Sequence, residues 1–85
     1  MADSLLNGNG FSVRLRGRSG LQYIENGRTM DVDGEMLTGP VDLVIYRSSV
    51  GRWSDSKFAD ENEKRRILGN IASVLAGAGI KAEFE

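Results

Sequence analysis

The stretch Asp60 to Gly79, DENEKRRILGNIASVLAGAG, constrains this chain more than any other, because the rest reads as sheet and needs a helix to lie on. Asp60 followed three residues later by Glu63 has the spacing of a capping box, in which each side chain accepts from an unpaired N–H of the first turn. Ile67, Leu68, Ile71, Val74, Leu75 and Ala78 then recur at helical spacing and form one apolar stripe. Gly79 is placed to take the left-handed conformation that ends a helix, with Ile80 packing back on Leu75.

The segments before the helix alternate as strands do. Phe11, Val13 and Leu15 face one way and Ser12, Arg14 and Arg16 the other. Gly17-Arg18-Ser19-Gly20 is a turn, and Leu21 to Glu25 is a second strand. Asn26-Gly27 is the strongest turn signal, since a two-residue hairpin needs positive φ at both central positions. A turn there pairs Glu25 with Arg28, Tyr23 with Met30 and Leu21 with Val32. All the large apolar residues except Ile24 then share one face, and the end pair has opposite charges. To keep Leu15 beside Leu21 the preceding loop must hold an odd number of residues. Asp33-Gly34 starts another bend, Glu35 to Thr38 is a short strand or a crossing segment, and Gly39-Pro40 ends it. Val41 to Arg47 is apolar on both sides, as a central or covered strand is. Ser48 to Ala59 is a loop holding Trp53, and Lys81 to Glu85 alternates as a last strand.

This order predicts an α+β fold: an antiparallel β meander of four to five strands packed on one long C-terminal helix, followed by a short final strand. The final strand returns to an edge of the sheet or pairs in parallel with a neighbour. Residues 1–10 end in Asn7-Gly8-Asn9-Gly10 and read as a flexible arm, leaving residues 11–85 as one domain. At 85 residues the core of such a domain is only marginally sufficient.

Chemistry is limited by what the chain lacks. It has no histidine and no cysteine, which removes the commonest general base, the commonest metal ligand, disulfides and thiolate sites. Without histidine a serine triad cannot be assembled. Asp31, Asp33, Glu35 and Asp42 surround a Gly-containing bend, but the D-x-D-G-E spacing lacks the rest of a calcium loop, and solvated strand-end charges explain it better. Gly77-Ala78-Gly79 follows a helix instead of opening one, so it caps and does not bind phosphate. No cofactor or metal is expected. Nor does any apolar run approach membrane-spanning length, and the N-terminus lacks a secretion signal, so a cytoplasmic protein is expected.

Three features point to partners. Arg14, Arg16 and Arg18 lie on or beside one strand with Tyr23 nearby, the residue types of a single-stranded nucleic-acid binder. The hairpin register, however, puts Tyr23 on the core face and Asp31 among the arginines, and a net charge of −1 argues against broad phosphate affinity. Gly69, Ala72, Ser73 and Ala76 project from the helix away from its stripe, a small-residue patch fit for a weak homodimer, although alanine is also simply a good helix former. Trp53, flanked by Arg52, Ser54 and Asp55, is a lid on the core or an interface anchor.

The runs Ile24-Glu25-Asn26-Gly27-Arg28, Asp33-Gly34-Glu35-Met36-Leu37, Val44-Ile45-Tyr46 and Arg52-Trp53, with Glu63-Lys64-Arg65-Arg66-Ile67-Leu68 through Ile71 to Gly79-Ile80-Lys81-Ala82-Glu83-Phe84-Glu85, resemble the Immunity protein 74 family. The resemblance covers nearly the whole chain from Phe11 onward. It implies a non-enzymatic protein that neutralises a cognate bacterial toxin of the polymorphic class by occluding it. Matched by position, Glu35 and Trp53 are the family-like residues available for recognition. Asp31, Asp33 and Asp42 are added on the argument that toxins attacking nucleic acid present basic clefts, which acidic groups complement. The alternative is a single-stranded nucleic-acid-binding domain using Arg14, Arg16 and Arg18, and a small hydrolase ranks third.

Overall fold

The computed structural model describes residues 4–16, 20–37 and 39–85 of the chain. Arg18 and the rest of the turn at residues 17–19, together with Thr38, lie outside the described residues.

Four strands form an antiparallel meander: β1 (Ser4–Asn7), β2 (Ser12–Leu15), β3 (Leu21–Glu25) and β4 (Arg28–Val32), in that spatial order. Asn26 and Gly27 both have positive φ, 53° and 74°, as a tight hairpin requires. The predicted register holds throughout, with Leu21 opposite Val32, Tyr23 opposite Met30 and Glu25 opposite Arg28. Leu15 pairs with Leu21 across an odd loop, residues 16–20. β1 corrects the reading of an N-terminal arm for residues 4–7. Asn7-Gly8-Asn9-Gly10 is the turn of a hairpin that sets Leu6 opposite Val13, with Gly8 N–H donating to the Phe11 carbonyl at 2.8 Å.

At Asp33 the chain turns out of this sheet into a second one, so the meander ends at β4. β5 (Gly34–Met36) runs antiparallel to β6 (Leu43–Ile45), and β7 (Ala82–Phe84) runs parallel to β6, which is therefore central. Gly20, at φ 98°, permits the bend: a Cβ there would lie 2.2 Å from the Val32 carbonyl oxygen and 2.9 Å from Gly34 nitrogen.

The helix α1 (Glu61–Gly77) joins the two sheets. Ile67, Ile71 and Leu75 are fully buried against Val13, Leu21, Tyr23, Met30 and Val32 of the first sheet and Leu43 and Ile45 of the second. Leu68 and Val74 are half-buried and Ala78 is exposed, so the stripe that does the packing is narrower than the apolar pattern. Asp60 caps the start by accepting from Glu63 N–H at 2.8 Å. The Glu63 carboxylate is engaged elsewhere, taking Trp53 Nε1–H at 3.5 Å, so the box is one-sided. At the other end Ile80 N–H reaches the Leu75 carbonyl at 2.9 Å and Gly79 N–H that of Ala76 at 3.0 Å. With Gly79 at φ 76°, this is the paired hydrogen-bond motif of a glycine stop.

Candidate functional site

β6 is buried on both faces, and the two faces differ in kind. Leu43 and Ile45 point into the core, so the period of two turns Val44 outward. Val44 has Glu35 of β5 on one side and Glu83 of β7 on the other as cross-strand neighbours. Tyr46 follows on the same side. The proximity of the Glu35 carboxylate to its hydroxyl, with desolvation and the nearby charges of Glu35 and Glu85 adding to it, pushes its pKa up. Asp33 and Asp42 border this face: Asp33 gives its carbonyl to Tyr46 N–H at 2.9 Å, and Asp42 receives Lys81 N–H on Oδ2 at 2.9 Å. Among the described residues none of Asp33, Glu35, Asp42, Glu83 and Glu85 makes a salt bridge. The outer face of the second sheet is thus predominantly acidic, five carboxylates with Lys81 at one end of β7 around an aliphatic and aromatic centre.

Three of the acids singled out in the sequence meet here, Asp33, Glu35 and Asp42. Asp31 does not. It lies on the outer face of the first sheet, where Arg16 Nη1 stands 3.4 Å from its carboxylate, the cross-strand pair that the register implied. Arg14 sits in the same face between Leu5 and Gln22. Glu83 and Glu85 were missed, because only the parallel return of β7 to β6 brings them beside Glu35, and an alternating pattern does not say where a strand pairs.

Trp53 is 2 % exposed, and its ring belongs to the core. It ends an aromatic row in which Phe11 stacks on Tyr23 at 5.6 Å and Tyr23 tilts against Trp53 at 6.1 Å. The Arg28 guanidinium lies 4.2 Å from the Trp53 ring centre and 3.4 Å from Asp55. The surface therefore presents Arg28 and Asp55 where the indole would have been. Lys57 N–H and Arg28 together hold the Asp55 carboxyl below its usual range, the backbone bond contributing most.

Arg28 stands opposite Glu25 at the hairpin end, as the register requires, but the two side chains turn to other partners. Glu25 reaches across to Arg66 of α1 and accepts from the Tyr23 hydroxyl at 3.2 Å, while Asn70 Nδ2 donates to that hydroxyl at 2.9 Å. Burial raises the Tyr23 pKa despite the Asn70 bond, and the hydrogen bond to Glu25 raises that of Arg66.

A broad recess of about 650 Å³ lies between the edge strand β1 and α1, with Leu6, Phe11, Asn70 and Val74 in its wall and no ionisable side chain in its lining. Among the described residues no three acidic groups converge on a metal-sized point. No described helix is long and apolar enough to cross a membrane.

A family model described as Immunity protein 74 matches residues 13–85 of the chain. No curated protein and no solved structure gives a match.

Proposed function

The chain belongs to the Immunity protein 74 family, and from that membership we propose that it protects the bacterial cell that makes it by binding a cognate toxin in the cytoplasm and occluding it, without catalysis. The observation that carries the surface assignment is the set of carboxylates around Val44 and Tyr46, unpaired with any described cation. A toxin that acts on nucleic acid needs a basic cleft, and an acidic face held on a central strand offers it a rigid complement. Glu35 and Glu83 are the central recognition residues, Asp33, Asp42 and Glu85 the rim. Asp31 is tied to Arg16, and Trp53 contributes through the Arg28–Asp55 pair that covers it.

The test is binding to the cognate toxin, with Glu35→Lys and Glu83→Lys combined against Asp31→Lys as control. The paired reversal is expected to weaken binding by at least about tenfold and the control by much less. Equal effects would reject the face, and an unchanged affinity for both would reject charge recognition. Binding of single-stranded nucleic acid with a steep salt dependence, lost on reversing Arg14 and Arg16, would favour the other reading instead.

A further inference from the structure

β7 is the free edge of the second sheet, and its sequence is complementary to itself. Lys81 and Glu85 aim their backbone groups at β6: the Lys81 carbonyl accepts from Leu43 N–H at 3.1 Å, and Glu85 N–H donates to the Ile45 carbonyl at 2.8 Å. Alternation along a strand then turns the N–H and C=O of Ala82 and Phe84 to the open side, where nothing described pairs with them. Beside this edge runs an apolar groove walled by Ala72 and Ala76 of α1, Ile80, Ala82 and Phe84. The small-residue patch divides here. Ala72 and Ala76 line this groove, whereas Ser73 lines the recess on the other flank, and a Cβ at Gly69 would meet nothing within 4 Å.

We propose that β7 pairs antiparallel with β7 of a second copy of this chain about a two-fold axis at Ala82, joining two three-stranded sheets into one. In that register the two Ala82 residues exchange their free N–H and C=O groups. Lys81 of each copy then stands opposite Glu83 of the other, twice over, on the outer face. Ile80 stands opposite Phe84 on the inner face, over the groove, where alanines at 72 and 76 leave room for the approach. Charged residues on an edge ordinarily discourage pairing, yet here each charge meets its opposite in a copy of the same strand. A foreign strand would have to supply that Glu–Lys order, and this chain does so by symmetry. The joined sheet would also place both acidic faces on one side.

Sedimentation equilibrium on the full chain, up to about 1 mM because the contact is short and such interfaces are weak, is expected to show a monomer–dimer equilibrium. Lys81→Glu sets like charges opposite each other and is expected to shift the dissociation constant at least about tenfold toward monomer. Lys81→Glu with Glu83→Lys exchanges the charges and is expected to restore the dimer. Ala82→Pro removes the outward N–H without touching the bonds to β6, and should leave a folded monomer, with folding read by thermal unfolding. A wild-type chain monomeric at every concentration overturns the proposal. So does a dimer indifferent to Lys81→Glu, or one that the charge exchange fails to restore.

Discussion

Asn70, in the third turn of α1, donates to the hydroxyl of Tyr23, in the middle of β3, at 2.9 Å. That hydroxyl donates in turn to Glu25, which holds Arg66. A fully buried ring thus carries its polar tip to the boundary between sheet and helix, where every member of the chain has a partner. The arrangement fixes the helix along its axis, which the apolar stripe alone, able to slide by a turn, does not.

Tyr23→Phe keeps the ring and removes the bridge, leaving both Asn70 and Glu25 short of one bond. The expected loss is about 1–2 kcal/mol, with a melting temperature lower by about 4–8 °C per kcal/mol. In a cycle with Asn70→Ala the two losses should overlap by about 1 kcal/mol, measured by denaturant unfolding. Strict additivity would show that the bond adds nothing to stability.

Alkaline titration separates the two tyrosines. Tyr23 is raised first by burial and Tyr46 first by the nearby Glu35 carboxylate. A phenol that holds its proton more tightly in the folded chain stabilises the fold below the unfolded value of about 10, and that contribution disappears as pH rises through the folded value. Stability is therefore expected to fall with pH above about 10, and less so in Tyr23→Phe. Glu35→Gln should bring the Tyr46 absorbance transition down in pH while leaving that of Tyr23 in place.

These polar contacts show where sequence legibility ends. The helix, its Asp60 cap, its Gly79 stop and the β3–β4 register are all local, written in spacing and turn chemistry within a few residues. β1 is hidden in the sequence because Ser4-Leu5-Leu6-Asn7 is too short to show alternation, and without a visible strand before it the Asn-Gly run does not signal a hairpin. The split into two sheets depends on the close approach of Gly20 to Val32 and Gly34 across the chain. Likewise Asn70, Arg66 and the acidic pair Glu83 and Glu85 acquire their roles only from tertiary placement. Asp33, Glu35 and Asp42 were legible as acids near a bend, but their common face follows from the parallel strand at the other end of the chain.

Gly69 offers a gain in stability. It is exposed in mid-helix, and a Cβ there would touch nothing within 4 Å. Gly69→Ala is expected to stabilise by about 0.5–1 kcal/mol through helix propensity and a less mobile unfolded chain. Ile71→Ala, two positions on and fully buried, is expected to cost about 2–5 kcal/mol. For an 85-residue domain, with total stability of about 4–13 kcal/mol, that loss threatens folding at physiological temperature. Thermal unfolding of both variants reads the contrast.

The glycines at 20 and 27 share positive φ but not surroundings. A Cβ at Gly27 meets open space, so Gly27→Ala carries mainly the left-handed penalty of about 1 kcal/mol. At Gly20 the Cβ would stand 2.2 Å from the Val32 carbonyl oxygen, which is backbone and cannot swing away. Gly20→Ala is therefore expected to lose several times as much, or to unfold the chain. Equal losses would mean that the bend at Asp33 opens freely.

Asp42 separates charge from scaffold within the acidic face. Its Oδ2 accepts the N–H of Lys81, tying the start of β7 to the approach to β6, and its own N–H donates to the Lys81 carbonyl at 2.8 Å. Asp42→Ala removes the side-chain bond and is expected to cost about 1 kcal/mol. Asp42→Asn can keep an acceptor oxygen at the same place while removing the negative charge, so most of that stability should remain. If Asp42 serves recognition by charge, the asparagine variant will hold its melting temperature and still bind the toxin more weakly, above all at low salt. If its work is confined to the turn, affinity will follow stability in both variants, and the asparagine form will bind as the wild type does.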